Sequence, residues 1–433
     1  MSQAAGAGES KKRIQATGWI AWGVVSLFYL YEFLIRVAPS VMQPELQKSF
    51  HLNAAGLGAA LGAYYYIYAP LQLAVGGMLD RWGSRRVLVP AMLFCSIGCF
   101  LELIGGGSMV LVTARLCQGA GSAFAFVGAM TAAAEWFPAE RMAMISGLTT
   151  ALGMVGAIVG NAAVAAFVQT FGWRVSLRDA ALAGLVVAAA IFFFLPHKRG
   201  PFAPERGDKS LAHTIISNLK TVFSNPQTWL IGLVASALYV PLSVFGGLWG
   251  VPYLVAVSDI STVEASQVIA ALYVGWLVGG PMVGWLSDHL GHRRIMLMGA
   301  ALLTFLMSLF LSVFPPGGTV SMVILLLAIG LASSAQVVGF AAGLEANPQR
   351  CTATSIAVVN MIVMLVGGLL QPAFGFLLDH FATDSAAVAS GQYSAGDFRV
   401  AILILPATSL IAVVLSLFMK ETYGQDREKV PMH

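Results

Sequence analysis

The chain has 433 residues, of which 58% are hydrophobic and only 10% charged, with a formal net charge of +4 and a mean hydropathy of +0.80. Apolar runs recur over almost the whole length, which excludes a soluble globular protein and leaves an integral membrane protein. The small basic excess calls for no nucleic-acid partner, because Lys and Arg are spread over many short polar segments, as membrane topology requires.

The first 16 residues are small and polar, carry Lys11, Lys12 and Arg13, and lack the order of a signal peptide. They are expected to form an uncleaved, disordered tail over 1–16. About 20 apolar residues cross a hydrocarbon core roughly 30 Å thick. Twelve such windows follow, at about 17–38, 54–77, 87–104, 108–133, 141–168, 177–195, 227–255, 265–284, 295–314, 319–343, 353–377 and 399–419. A polar linker over 197–226 divides them into an N-terminal bundle over 17–196 and a C-terminal bundle over 227–420, with a second tail at 421–433. The expected fold class is an all-α membrane protein of twelve transmembrane helices in two pseudo-symmetric six-helix bundles.

The polar segments that would share a side with both termini hold most of the 24 Lys and Arg residues, whereas the opposite segments hold Lys48, Arg174, Arg178 and Arg399. The positive-inside rule therefore predicts that both termini and the linker are cytoplasmic, in the inner (plasma) membrane. Cys95, Cys99, Cys117 and Cys351 lack metal-ligand spacing and read as packing residues. The chain offers no nucleotide-binding glycine loop and no catalytic constellation, so neither an enzyme nor a primary pump is expected, and no cofactor or metal is implied.

The loop after the second span repeats after the eighth. Asp80, Gly83, Arg85 and Arg86 meet Asp288, Gly291, Arg293 and Arg294 at a constant offset, and Glu135 and Arg141 find counterparts in Glu345 and Arg350. Such an internal repeat in an apolar chain points to a duplicated bundle. Twelve spans in two halves, with an Asp-x-x-Gly-x-Arg-Arg loop between the second and third spans and again between the eighth and ninth, resemble the major facilitator superfamily of secondary transporters. Arg115-Leu-Cys-Gln118-Gly119-Ala-Gly121 in the fourth span is similar to that family's Arg-x-x-Gln-Gly-x-Gly pattern. The resemblance implies alternating access, with no partner needed to form a pathway, so a monomer is expected. Gly147, Gly153, Gly156 and Gly160 in the fifth span lack the Gly-Pro step of the family's drug/proton antiporters, which counts against drug efflux.

A short loop holds its aspartate at the inner mouth, where a carboxylate can accept N–H groups at the start of a helix from the other half. Pseudo-symmetry makes the eleventh span the expected target of Asp80 and the fifth that of Asp288. Arg141 and Arg350 would reinforce the contact through the loop aspartates or through Glu135 and Glu345. Gly83 and Gly291 suit the tight turns. The alternative, that these residues only set topology and solvate loops, explains the arginines but not the paired aspartates and glycines.

Tyr29, Glu32 and Arg36 share one face of the first span. A charge inside a membrane helix costs about 2.5–3.5 kcal/mol on insertion scales, so these residues are expected to face the interior. Arg36 either snorkels outward or pairs with Glu32 for structure, or its planar fork binds a substrate anion. Tyr31-Glu32-Phe-Leu-Ile-Arg36-Val-Ala-Pro39 also resembles the first helix of the superfamily's organic-anion branches, where an arginine at a similar place binds the anion. The phosphate-ester exchangers typically add an arginine in the seventh helix. This chain offers Tyr239, Ser243, Trp249 and Tyr253 there, which favours a carboxylate.

Glu32 is the candidate for proton coupling, competing with the substrate for Arg36. Tyr64, Tyr68 and Gln72 share a face of the second span and could line the cavity or simply pack. Further candidates are Arg115 and Gln118 in the fourth span, and Tyr273, Trp276, Gln336 and Asn360 in the second half. The expected function is proton-coupled uptake of a small anionic or zwitterionic organic solute. Import of an amino acid or a carboxylate siderophore, and a transporter-shaped ligand sensor, remain as alternatives.

Overall fold

The computed structural model describes residues 2–137, 141–196, 209–383, 388, 391 and 393–424, with side chains from Thr17 onward except those of Asp80, Ala143 and 209–215. The N-terminal half comprises α1 (Ser2–Val37), α2 (Gln43–Phe50), α3 (Ala54–Trp82), α4 (Ser84–Ile104), α5 (Ser108–Ser122), α6 (Ala125–Trp136), α7 (Met142–Ile158), α8 (Val164–Phe171) and α9 (Trp173–Phe194). After α10 (Lys209–Ser224) come α11 (Pro226–Val240), α12 (Gly250–Ser258), α13 (Thr262–Leu290), α14 (Arg293–Val313), α15 (Thr319–Ser333), α16 (Gln336–Glu345), α17 (Thr352–Phe381), α18 (Phe398–Ala401) and α19 (Ile404–Leu417).

Eleven helical stretches among the described residues are long and apolar enough to cross a membrane. The expected second span is the 29-residue α3. Its tyrosines, glutamine and glycines lower its hydropathy, which is why it falls outside that group. Several spans are built from two helices. The fourth breaks between α5 and α6, the fifth passes through a π-helical turn at Val159–Ala163, and the seventh through one at Pro241–Trp249. Pro241 has no N–H to donate, so the hydrogen-bond ladder loosens there.

One expectation is corrected. Residues 2–16, read as a disordered tail, continue α1, in keeping with the helix-forming Ala, Glu, Lys, Gln and Arg they contain. The linker holds α10, where Asn218 Nδ2 donates to the Arg350 carbonyl at 3.3 Å. Linker residues 197–208 and tail residues 425–433 lie outside the described residues. The described start of the tail docks on the C-terminal half. Burial pushes the Glu421 carboxyl up, but the N–H groups of Tyr423, Arg293, Arg294 and Thr422 outweigh it and hold the carboxyl below its ordinary value.

Glycines set the approach of helices that carry the polar residues. A Cβ on Gly156 would stand 2.1 Å from the Leu30 carbonyl and one on Gly160 2.8 Å from the Leu34 carbonyl, so α7 and the turn after it press directly on α1. Gly275 of α13 similarly meets Leu327 of α15 at 2.2 Å. Gly83 and Gly291 adopt positive φ, 80° and 68°, at the two repeated turns.

The two halves meet most closely at the end opposite the termini, the far end. There a Cβ on Gly58 would lie 2.7 Å from the Gln371 carbonyl, and one on Gly375 2.3 Å from the Ala54 carbonyl. The Asp379 carboxylate, on α17, accepts the N–H groups of Ala54 at 3.1 Å and Ala55 at 2.7 Å. Asn53 takes the next N–H, from Gly56, at 2.9 Å. Three orphan donors at the start of α3 are thereby satisfied, two of them by the opposite half. The Tyr393 hydroxyl also donates to Asp379, at 2.6 Å, and Gln47 Nε2 reaches Tyr393 at 3.4 Å.

At the terminal end, Arg293 meets Asp288 and Glu345, and Arg294 meets the Ser416 and Leu417 carbonyls, all within the C-terminal half. Positions for a Cβ on Gly76, Gly77, Gly147 and Gly284 have nothing within 4 Å.

Candidate functional site

The midplane cluster begins on α1. Close packing against α7 turns one face of α1 toward α3 and α11, and that face carries Glu32 and Arg36. Glu32 is 0% and Arg36 5% exposed. They form an i,i+4 ion pair through Arg36 Nη2 and Glu32 Oε1. Arg36 Nε donates to the Tyr64 hydroxyl at 3.3 Å, and Tyr64 in turn donates to Glu32 Oε1. Arg36 Nη1 crosses to the other half and donates to the Tyr239 hydroxyl at 3.1 Å.

Aromatic rings enclose the guanidinium. Its carbon lies 4.5 Å from the Phe33 ring centre, 5.4 Å from Tyr64 and 5.3 Å from Tyr68, and Tyr64 and Tyr68 stack at 5.7 Å. Ring faces attract a desolvated cation and exclude water from it. Even so, Glu32 Oε2 has no hydrogen-bond partner among the described residues. The cluster therefore holds a buried cation with a planar fork, a carboxylate already on that fork, and an open acceptor beside them.

On the C-terminal side, Tyr239 contacts the Trp276 ring edge-on at 6.4 Å, and Trp276 Nε1 has no partner among the described residues. Tyr273 is buried and lies close to Asn161 of the π turn. Asn161 also accepts from the Ser40 hydroxyl at 2.8 Å. Gln371 Nε2 donates to the Ser243 carbonyl at 2.9 Å, while its Oε1 is unpartnered among the described residues.

Other sequence candidates lie apart from this cluster. Tyr29 makes ring contacts with Phe33 and Phe126 and no hydrogen bond among the described residues. Gln72, read as cavity-lining, instead donates to the Ala123 carbonyl at 3.0 Å, because the break between α5 and α6 leaves that carbonyl without a helical partner. Arg115 Nη1 donates to the Ile35 carbonyl at 3.2 Å and to Gln118 Oε1 at 2.6 Å. Gln118 Nε2 donates to Glu102 at 3.0 Å. This chain of contacts meets the cluster at the Tyr64 ring, 5.1 Å from the Arg115 guanidinium carbon. Gln336 is buried at the start of α16 and Asn360 is half-buried in α17, and no hydrogen bond among the described residues joins either to Arg36.

At the terminal end the Asp288 contact takes a different form from the one expected. Asp288, expected to reach the fifth span, pairs with Arg293 Nη1 at 2.6 Å within its own half, and Arg293 Nη2 pairs with Glu345 at 2.9 Å. The nearer guanidinium captures the carboxylate. Arg294 donates to the Ser416 and Leu417 carbonyls at 3.0 and 2.8 Å. In the other half, Glu135 accepts from the Ser84 hydroxyl at 3.3 Å, Arg85 lies over Phe192 at 4.4 Å, and Arg86 and Arg141 are exposed. The Arg350 carbonyl accepts from Asn218, and the Asp80 side chain lies outside the described residues. Sequence reasoning missed the far-end group of Asp379, Tyr393 and Gln47. An aspartate closing the eleventh span opposite the Asn53 start of the second was the available signal.

A family model described as Major Facilitator Superfamily matches residues 22–372. A probable galactarate/D-glucarate transporter of Escherichia coli K12 is 24% identical, over 97% of this chain and 96% of its own length. A probable sulfoacetate transporter of Cupriavidus necator is 26% identical, over 65% of this chain and 67% of its own length. Among solved structures, a bacterial homologue of the human lysosomal transporter Spinster, inward-facing and unoccupied, matches with a TM-score of 0.76 at 16% identity, covering 93% of this chain and 96% of that one. With an all-α fold of membrane-spanning helices and transporters throughout these comparisons, the chain belongs to the Major Facilitator Superfamily, a family of transporters rather than enzymes.

Proposed function

We propose that this protein imports a small organic anion across the inner membrane by alternating access, driven by protons, with Arg36 as the anion site and Glu32 as the proton carrier. The observation that carries the reading is the position of Arg36, buried at the centre and hydrogen-bonded to both halves. A carboxylate is the natural partner of its fork, and Glu32 already occupies it. Protonation of Glu32 releases the guanidinium for the substrate, and deprotonation restores the internal pair. Two relatives are named as probable transporters of such anions, galactarate/D-glucarate and sulfoacetate. Tyr64, Tyr68, Tyr239 and Trp276 frame the site, and the seventh span brings no arginine to it, which suits a carboxylate better than a phosphate ester. The distribution of Lys and Arg supports a cytoplasmic location for both termini. The solutes are protons and one small molecule, the working unit is a monomer, and no nucleic acid takes part.

The test is uptake of labelled carboxylates, amino acids and phosphate esters into proteoliposomes under an imposed pH gradient. Gradient-driven uptake of a carboxylate that is lost in Arg36→Ala supports the site. Glu32→Gln is expected to retain substrate exchange while losing accumulation. Normal uptake by Arg36→Ala would overturn the assignment, and binding without flux would favour a ligand sensor.

A further inference from the structure

The repeated loops are alike in sequence and unlike in their contacts. In the C-terminal half both arginines are consumed: Arg293 by Asp288 and Glu345, Arg294 by the carbonyls that end α19. In the N-terminal half neither Arg85 nor Arg86 makes a hydrogen bond or an ion pair among the described residues. Arg85 instead lies over the Phe192 ring, and Arg86 is exposed.

These two arginines line an open groove of about 480 Å³ together with Val89, Pro90 and Phe192, between the start of α4 and the end of α9. The groove has a charged rim and an apolar floor. Away from the rim, α4 and α9 continue outward-facing apolar surface through Leu93 (36% exposed), Ile97 (49%), Val186 (69%) and Phe193 (74%). Trp82, 49% exposed at the same end, fits the aromatic belt of a membrane interface. Lys198 and Arg199 follow closely in the chain after α9.

We propose that this groove is a binding site for an anionic phospholipid, with Arg85 and Arg86 on the headgroup phosphate and the acyl chains along α4 and α9. Two guanidiniums without counter-ions among the described residues supply planar donors for a phosphodiester. Basic pockets at the headgroup level between membrane helices select acidic lipids in this way. A soluble anion would leave the exposed apolar surface below the rim unused, so the occupant is a lipid. The corresponding position in the other half is ruled out because Arg293 and Arg294 are already paired, so the site is single despite the repeat. This inference stands independently of the transported substrate.

The experiment is native mass spectrometry of the full-length protein released from mixed phosphatidylglycerol and phosphatidylcholine, with the fold of each variant checked by thermal unfolding. Wild type is expected to retain phosphatidylglycerol in preference to phosphatidylcholine. The double substitution Arg85→Gln, Arg86→Gln is expected to lower that preference roughly tenfold or more, whereas Arg81→Gln, outside the groove, leaves it intact. Should the double variant fail to fold, the exposed Arg86→Gln alone is expected to show a several-fold loss. Equal retention of the two lipids by wild type, or unchanged preference in a folded groove variant, would overturn the proposal. Displacement of the lipid by millimolar inorganic phosphate would also overturn it, by identifying a soluble-anion site.

Discussion

The far end and the terminal end satisfy their charged groups in opposite ways. At the far end an aspartate from one half caps a helix of the other, and glycines let the two backbones touch. At the terminal end Asp288, Arg293 and Glu345 are bonded to one another inside a single half. A cap across the interface exists only while the halves are together, whereas an internal pair persists when they part. The contrast identifies Asp379 as a cap across the interface, of the kind expected of Asp80 and Asp288.

The largest effect on this contrast is expected from Gly375→Leu, whose Cβ would stand 2.3 Å from the Ala54 carbonyl. Backbone atoms cannot yield as a flexible side chain does, so the far end should fail to close and transport should fall by about tenfold or more. Spin labels at the start of α3 and the end of α17 would report the wider separation; an unchanged distance would refute the assignment of the seal.

Asp379→Ala should act less severely, because packing remains while two N–H groups lose their acceptor. A loss of roughly 0.5–2 kcal/mol would raise cysteine labelling at the far end about 2- to 30-fold. Arg293→Gln should leave that labelling unchanged and instead lower thermal stability by roughly 1–2 kcal/mol, since its partner Asp288 is largely exposed while Glu345 is more enclosed.

The smallest effect concerns the far-end loop. Burial pushes the Asp397 carboxyl up, but donors from Thr383 and Ser394 outweigh it and hold it below the ordinary aspartate value. A depressed carboxyl stabilises the fold above its unfolded value, near 3.9, and that contribution fades as pH falls through the folded value. Hydrogen exchange around Thr383 and Ser394 should therefore quicken only in acid below about pH 4. Quickening near neutrality would contradict this.

The all-α membrane class and the family were legible because hydropathy and loop motifs are local signals. Glu32 with Arg36, and Tyr64 with Tyr68, could each be paired from spacing within one helix, since i,i+4 neighbours meet on any helix, but spacing could not join the two pairs. Tyr239 could be named but not joined to Arg36, for no local pattern reports which helices face each other. Gln72 misled for the same reason: its partner is a carbonyl freed by a break between α5 and α6 that hydropathy does not mark. Asp288 misled because its position allows either a partner within its half or one across the interface, and the conformation decides between them.

The Arg36 to Tyr239 hydrogen bond is a central contact in which a proposed substrate ligand also ties the halves together. An anion seated on that guanidinium would compete with Tyr239 for the same donor, so occupancy and domain separation would draw on a single bond. By thermodynamic linkage, any substitution that weakens the strut must then strengthen apparent binding to the same degree that it favours the parted state. Tyr239→Phe would thus act as a tuning element for affinity, although its hydroxyl need never touch the cargo.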